Sequence, residues 1–237
     1  MNIEDLEQSL IIHRGLINYK YPENTIESFK ETIKKGYTIE LDVHLIKDNN
    51  IIVYHDDDFK RLCNSNLKLK NSTIDDINKL RINNKYKIPL FKDVLELVDG
   101  TVPLVIELKY DRFGHKLEKE IVKYLDNYKG KFCIKSFNPF IVRWFYKHRK
   151  NYLRGFLLTD NGKTKDYRLK FFSRNIFIKY TKANFLSCNA NLIIKNKLNK
   201  YIYNYPIILW NVKNIDKYNK IKNKCNNIIC EDINNFK

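Results

Sequence analysis

Short apolar runs recur along the chain, separated by longer stretches whose apolar residues fall three and four apart. The runs are Leu10–His13, Thr38–Val43, Leu104–Lys109, Phe132–Lys135, Arg154–Leu158, Phe185–Cys188, Ile207–Trp210 and Asn227–Cys230. Each has the length of a buried strand and falls short of a helix. Helical material lies between most of them. One helix follows Asn24, with Ile26, Phe29 and Ile33 on one face; others are expected at Leu117–Tyr128, Pro139–Lys147 and Asn191–Tyr203. Strands alternating with helices predict an α/β fold built on a parallel sheet. Eight such units predict a (β/α)8 barrel of the TIM type.

The run Ile51–His55 breaks this alternation. Only Lys47-Asp48-Asn49-Asn50 separates it from the second strand, far too little chain for a crossover helix. A hairpin is the alternative, with Asp48-Asn49-Asn50 as its turn. A turn centred near Asn49 would set Val43 opposite His55 and deliver His55 next to Asp42. Residues 56–100 then form a small inserted subdomain after the second strand. Within it, Thr73 is placed to cap a helix, and a second helix is expected over Phe91–Val98. No linker, low-complexity block or solenoid repeat interrupts residues 1–237, which read as a single domain.

Composition adds bounds. A chain of 237 residues supports one well-buried core, and 43% hydrophobic with 14% aromatic residues excludes a disordered chain. No run of about 18 apolar residues occurs, so a membrane-spanning helix is not expected. The first residues, Met1-Asn2-Ile3-Glu4-Asp5-Leu6-Glu7, lack the pattern of a secretory signal, which predicts a cytoplasmic location. Five scattered cysteines with no CxxC pair fit free thiols in a reducing compartment better than disulfides or structural zinc.

The formal net charge of +17 has two readings. A chain rich in Lys, Asn and Ile carries the bias that an AT-rich genome imposes on any protein. Summed positive charge also attracts phosphates and anionic membranes, so peripheral membrane contact belongs with the expected partners. Nucleic acid does not. The basic-aromatic stretch Arg143-Trp144-Phe145-Tyr146-Lys147 is more simply part of a helix whose core face is Ile141, Val142 and Phe145, and no nucleic-acid motif accompanies it.

The polar residues at the strand ends carry the chemistry. Side chains two apart on a strand share a face, so Glu40 and Asp42 point together, as do Glu107 and Lys109. Their neighbours Leu41, Val43, Ile106 and Leu108 fill the other face, which leaves the carboxylates for the barrel mouth. Three carboxylates crowded there repel one another unless a divalent cation joins them, and oxygen donors suit Mg²⁺ or Ca²⁺. His13 ends the first strand, and Gly15 beside it is expected to let substrate approach closely. His55 ends the hairpin next to Asp56, which can orient its ring. Two histidines flanking one phosphate can serve as base and acid. His44, His115 and His148 are read as structural. Trp210 is placed either against the substrate or in the lid core, and Ser187 and Asn189 sit at a comparable level.

These residues, with Pro22-Glu23-Asn24-Thr25, Ser28-Phe29, Gly36, Lys47-Asp48, Arg61, Ile88-Pro89-Leu90 and Ser136-Phe137, resemble the glycerophosphodiester phosphodiesterase family, in family order over roughly residues 10–235. The resemblance implies a (β/α)8 barrel with an insertion after the second strand. It implies metal ligands at Glu40, Asp42 and Glu107, an acid–base pair at His13 and His55, and phosphate contacts from Arg14 and Lys109. Family members hydrolyse glycerophosphodiesters, small-molecule substrates, to glycerol 3-phosphate and an alcohol, which ties them to lipid and glycerol metabolism. The nucleophile is water or the neighbouring glycerol hydroxyl. Departures occur at Ile46, Asn50 and Cys230-Glu231-Asp232, none of them a metal or acid–base position. A sphingomyelinase D-like phospholipase, acting on lysolipids or sphingolipids, is the rival within the same chemistry.

Overall fold

In the computed structural model, residues 1–18, 20–109, 114–160, 167–172, 174, 176–198 and 204–231 are described. Among the described residues, nine strands make one sheet: β1 (Ile11–His13), β2 (Thr38–Leu45), β3 (Ile51–Val53), β4 (Leu104–Leu108), β5 (Phe132–Ser136), β6 (Leu153–Leu158), β7 (Phe185–Asn189), β8 (Ile207–Val212) and β9 (Asn227–Cys230). Eight of them are parallel neighbours in the order β1-β9-β8-β7-β6-β5-β4-β2, and the β1–β2 pairing closes the ring. The molecule is therefore the expected (β/α)8 barrel. β3 is the exception, pairing antiparallel with the far end of β2.

The helices are α1 (Ile26–Lys34), α2 (Lys60–Cys63), α3 (Ile74–Lys79), α4 (Phe91–Val98), α5 (Lys116–Leu125), α6 (Pro139–His148), α7 (Tyr167–Phe172), α8 (Ile176–Thr181), α9 (Ala190–Ile194) and α10 (Ile215–Ile221). α1 starts where Thr25 and Ser28 exchange hydrogen bonds, each side chain accepting from the other's backbone N–H at 3.2–3.3 Å. Asn138 caps α6 by accepting from Phe140 N–H at 2.9 Å, with Pro139 in the first turn, where a missing N–H costs nothing. The helix expected over Asn191–Tyr203 is α9 among the described residues: it stops at Lys195, and Asn196 takes a left-handed φ of 56°. Residues 199–203 lie outside them.

Strand alternation sorts the side chains into two layers. Ile39, Leu41, Val43, Ile106 and Leu108 point outward and are buried with Phe29, Phe91, Val94, Ile121 and Phe145 of the helices. Inside the barrel, Ile11, Val105, Cys133, Leu153, Phe185, Ile208 and Ile229 form an apolar floor, and Leu6 of the N-terminal segment packs into it. Gly155 leaves that interior open for the Phe185 ring; a Cβ there would sit 2.3 Å from it. Above the floor, toward the carboxyl ends of the strands, the lumen turns polar.

The hairpin register differs from expectation. Val43 pairs with Val53 rather than with His55, and Tyr54 N–H donates to the Asp42 carbonyl at 3.0 Å. The turn is one residue tighter because Asn49, at φ 66°, closes it with a hydrogen bond to the Ile46 carbonyl. The outcome for the site is nonetheless as expected. β4 occupies one edge of β2 and β1 the other, as far as His13 opposite Glu40. β3 continues that second edge and runs back toward β1, which brings His55 to the mouth.

The segment beyond the hairpin builds a small cluster of its own from Tyr54, Phe59, Leu69, Ile77, Ile82, Tyr86 and Ile88, rooted on Ile46 and Ile52. α3 is held at its start by Asp76, which accepts from Thr73 N–H and Oγ1, and by Asp48 of the hairpin turn, which accepts from Ile74 N–H at 2.8 Å. α4 belongs instead to the main core, where it packs against α1 and β3.

Candidate active site

Register places the polar residues of the mouth side by side. His13 lies opposite Glu40, Asp42 opposite Glu107, and Glu107 opposite Lys135. Glu40, Asp42 and Glu107 are buried, and each offers an oxygen within 4.8 Å of the others'. Bare carboxylates this close would repel strongly. Three cations offset the repulsion: Lys109 Nζ lies 2.9 Å from Asp42 Oδ1 and 2.5 Å from Glu107 Oε1, Lys135 Nζ lies 2.8 Å from Glu40 Oε1, and Arg14 Nε lies 3.1 Å from Asp42 Oδ2. Burial alone would raise the Asp42 carboxyl; Lys109 and Arg14 outweigh it and hold the group well below the usual carboxylate range. Glu107 is lowered in the same way by Lys109 and Lys135, again against burial.

The donor set suits a hard divalent cation. Glu40 Oε1 and Asp42 Oδ1 are buried without a well-directed hydrogen bond, although an ammonium group stands at ion-pair distance from each. A buried carboxylate oxygen without a directed donor is costly in a folded protein. Coordination by Mg²⁺ or Ca²⁺ would satisfy both oxygens, whereas zinc more often recruits nitrogen or sulfur.

Lys135 joins the site as a residue that the sequence motifs do not mark. It is buried, and desolvation would favour its neutral form; Glu40 and Glu107 more than offset that and raise its pKa. The signal was present. Cys133 and Lys135 share a strand face, and a lysine on a face that starts with a floor residue must find carboxylates inside the barrel.

The two histidines are held differently. His13 is lowered chiefly by burial, so it stays neutral near physiological pH; its Nδ1 is 3.8 Å from Glu231 Oε1. His55 Nδ1 lies 2.6 Å from Asp56 Oδ1, and its carbonyl is 3.2 Å from His44 Nε2. A carboxylate facing Nδ1 sets that nitrogen as the N–H donor and leaves Nε2 for proton transfer. Each imidazole is near enough to Asp42 to favour its charge when the ring is protonated. Asp56 itself stays ionised: burial opposes this, and hydrogen bonds from His55 and Arg61 overcome it.

An ionic chain unforeseen in the sequence ties the halves of the mouth together. Arg14 donates to Glu23 at 2.8 Å, Arg61 makes a two-pronged contact to Glu23 at 2.7 and 2.9 Å, and Arg61 Nε donates to Asp56 at 2.7 Å. Asn24, with φ 53°, donates to Asp42 Oδ2 at 3.0 Å. Gly15, expected to ease substrate approach, is constrained by packing. With φ 80°, it faces α1, where a Cβ would lie 2.6 Å from Ser28 Oγ and 2.9 Å from the Phe29 ring.

A cavity of about 350 Å³ opens on this mouth, lined by His55, Glu107, Lys109, Ser136, Phe137 and Asn138 among others. Glu40 and Asp42 lie beneath their ion pairs rather than on its wall. Trp210 is also off the wall: its Nε1 donates to the Ser187 carbonyl at 3.1 Å, and it meets Phe137, which does line the cavity, edge to face at 5.8 Å. His115 and His148 pair locally with Glu118 and the Trp144 carbonyl, as structural residues do.

A closed parallel barrel with an acidic cluster at the carboxyl ends of its strands has its polar residues where enzymes of this fold hold their active sites. The glycerophosphoryl diester phosphodiesterase family model matches residues 13–222, and the chain belongs to that family. The chain is 31% identical over 225 residues to a putative glycerophosphodiester phosphodiesterase of Bacillus subtilis, covering 86% of each. It is 36% identical over 148 residues to a glycerophosphodiester phosphodiesterase of Caldanaerobacter subterraneus, a match spanning 56% of this chain and 60% of that protein. Its fold superposes on a phosphodiesterase of Oleispira antarctica, solved with its product sn-glycerol-3-phosphate, with a TM-score of 0.80 at 16% identity, covering 97% and 95% of the two chains.

Proposed function

We propose that the protein hydrolyses glycerophosphodiesters to glycerol 3-phosphate and an alcohol, with a divalent cation, Mg²⁺ or Ca²⁺, held by Glu40, Asp42 and Glu107. The observation that carries this reading is the convergence of those three carboxylates, within 4.8 Å of one another, with Glu107, His55 and Lys109 lining one cavity. When bound, the cation supplies electrostatic stabilisation of the charge that grows on the phosphoryl oxygens. Lys109, kept protonated by Asp42 and Glu107 against the pull of burial, adds positive charge on the cavity wall. Arg14 stays cationic under the same balance and fixes the mouth through Asp42 and Glu23.

His13, neutral through burial, accepts the proton of the attacking hydroxyl, and His55, oriented by Asp56, donates to the leaving alkoxide. The reverse assignment uses the same geometry. Trp210 acts indirectly, by backing Phe137 on the cavity wall. The near-full-length likeness to a putative glycerophosphodiester phosphodiesterase supports that substrate class over sphingolipids.

No helix among the described residues is long and apolar enough to cross a membrane. None of the five cysteines forms a disulfide, and burial pushes the Cys133 thiol up to about 12, which fits a reducing, cytoplasmic setting. The test is release of choline from glycerophosphocholine. Activity that EDTA abolishes and Mg²⁺ or Ca²⁺ restores is expected; unchanged turnover in EDTA would overturn the metal assignment, and no turnover of several glycerophosphodiesters would overturn the substrate class.

A further inference from the structure

Of the three cations that answer the mouth carboxylates, Lys135 is the least exposed. Its side chain is 3% exposed, against 16% for Lys109 and 15% for Arg14. Lys109 lines the catalytic cavity and can meet a phosphate there; Lys135 is not on that wall. The strand fixes this depth. Lys135 of β5 lies opposite Glu107 on one side and opposite Gly155, which has no side chain to offer, on the other. Ser136 Oγ donates to the Leu108 carbonyl at 2.7 Å and pins the end of the strand to β4. The ammonium turns to the carboxylates, 2.8 Å from Glu40 Oε1 and 3.5 Å from Glu107 Oε2.

Those are two of the three groups that would hold a divalent cation. Glu40 Oε2 accepts from Arg14 N–H at 3.1 Å, whereas Oε1 is buried without a directed hydrogen bond and is the oxygen that Lys135 faces. Lys109 stands in the same relation to Asp42 and Glu107. The two ammonium groups together carry the charge of one divalent cation. Like charges a few ångströms apart repel far more strongly in a buried site than in water. An ammonium this close to a ligand oxygen opposes any metal ion that arrives there.

We infer that Lys135 is a resident cation of the carboxylate cluster, competing with the divalent cation for Glu40 and Glu107 and weakening its hold. The inference rests on the cation site of the phosphodiesterase reading. The metal-free cluster is then electrostatically satisfied by the chain itself. The metal ion becomes an exchangeable ligand whose occupancy follows its concentration.

The experiment is calorimetric titration of the EDTA-treated, dialysed protein with Mg²⁺ and with Ca²⁺. It compares the wild type with Lys135→Gln, Lys135→Met and Lys131→Gln, the last removing an exposed charge that pairs with Asp5 before the same strand. Both Lys135 variants, their folding checked by circular dichroism, should bind at least about tenfold more tightly than the wild type. Lys131→Gln should stay within about twofold. Loss of a merely structural contact would weaken binding, so the sign of the change separates the two roles. Where a Lys135 variant unfolds in EDTA, Ca²⁺ should restore its fold and raise its urea midpoint more than that of the wild type. Binding seen in the Lys135 variants alone also supports the inference. Equal or weaker affinity in the folded variants, or a variant that excess Ca²⁺ fails to restore, would overturn it and leave the cation site standing. No binding to any of the four proteins would overturn the cation site and the inference with it.

Discussion

His55 and Asp56 show how one contact decides a residue's chemistry. With Asp56 fixed at Nδ1 by a 2.6 Å hydrogen bond, Nε2 is left for proton transfer. Replacing either His13 or His55 by Ala should lower kcat by roughly 10²–10⁴-fold. Asp56→Asn should cost roughly 10–100-fold, the usual loss when an orienting partner is removed; equal losses for Asp56→Asn and Asp58→Asn would deny it that role. Lys135 makes a second case. It answers Glu40 at 2.8 Å in a dry interior, so Lys135→Met should destabilise the fold by about 3 kcal/mol in EDTA, read from the urea midpoint. Added Mg²⁺ should recover part of that loss.

At the level of strands and helices, most of the barrel could be read in advance because a period of two places Ile39, Leu41 and Val43 on one face and Glu40 and Asp42 on the other. The eight parallel strands begin and end within a residue or two of expectation. What the chain concealed depends on backbone geometry that side-chain patterns do not encode. Asn49 in the left-handed region shifted the hairpin register by two residues at His55, and Gly15 proved to serve close packing on Ser28. The chain from Arg14 through Glu23 and Arg61 to Asp56 joins residues up to 47 apart in sequence, and no local spacing announces it. Lys135 is legible in the sequence, since it shares a strand face with the floor residue Cys133. Gly155 tests the interior packing directly. Gly155→Ala would place a methyl 2.3 Å from the Phe185 ring, and a loss of roughly 1–3 kcal/mol is expected in chemical denaturation.

For the molecule as a whole, pH reports the same electrostatic design. Asp42, Glu107, Glu23 and Asp56 have native pKa values below their unfolded ones, near 4. They contribute stability above about pH 4, which is lost as pH falls through the depressed native values. His13 adds to the acid side: burial lowers its native pKa, so below about pH 6.5 the unfolded imidazole takes up the proton first. Lys109 and Lys135 are raised, and their contribution is complete below about pH 10 and lost only as pH climbs through the native values. The urea midpoint should therefore be flat from about pH 7 to 9, decline gently below 6.5 and fall steeply below 4. A midpoint still rising as pH drops from 7 to 4 would contradict the ion-pair account.

The measurement that reaches the central claim most directly is calorimetric titration of the apoprotein with Mg²⁺ or Ca²⁺, repeated on Asp42→Asn with its folding checked by circular dichroism. One ion per wild-type chain is expected, with affinity in the folded variant reduced by more than the roughly 10–100-fold cost of losing an outer contact. Binding that is absent from the wild type, or undiminished in the folded variant, would show that the three carboxylates of the mouth do not gather around a cation.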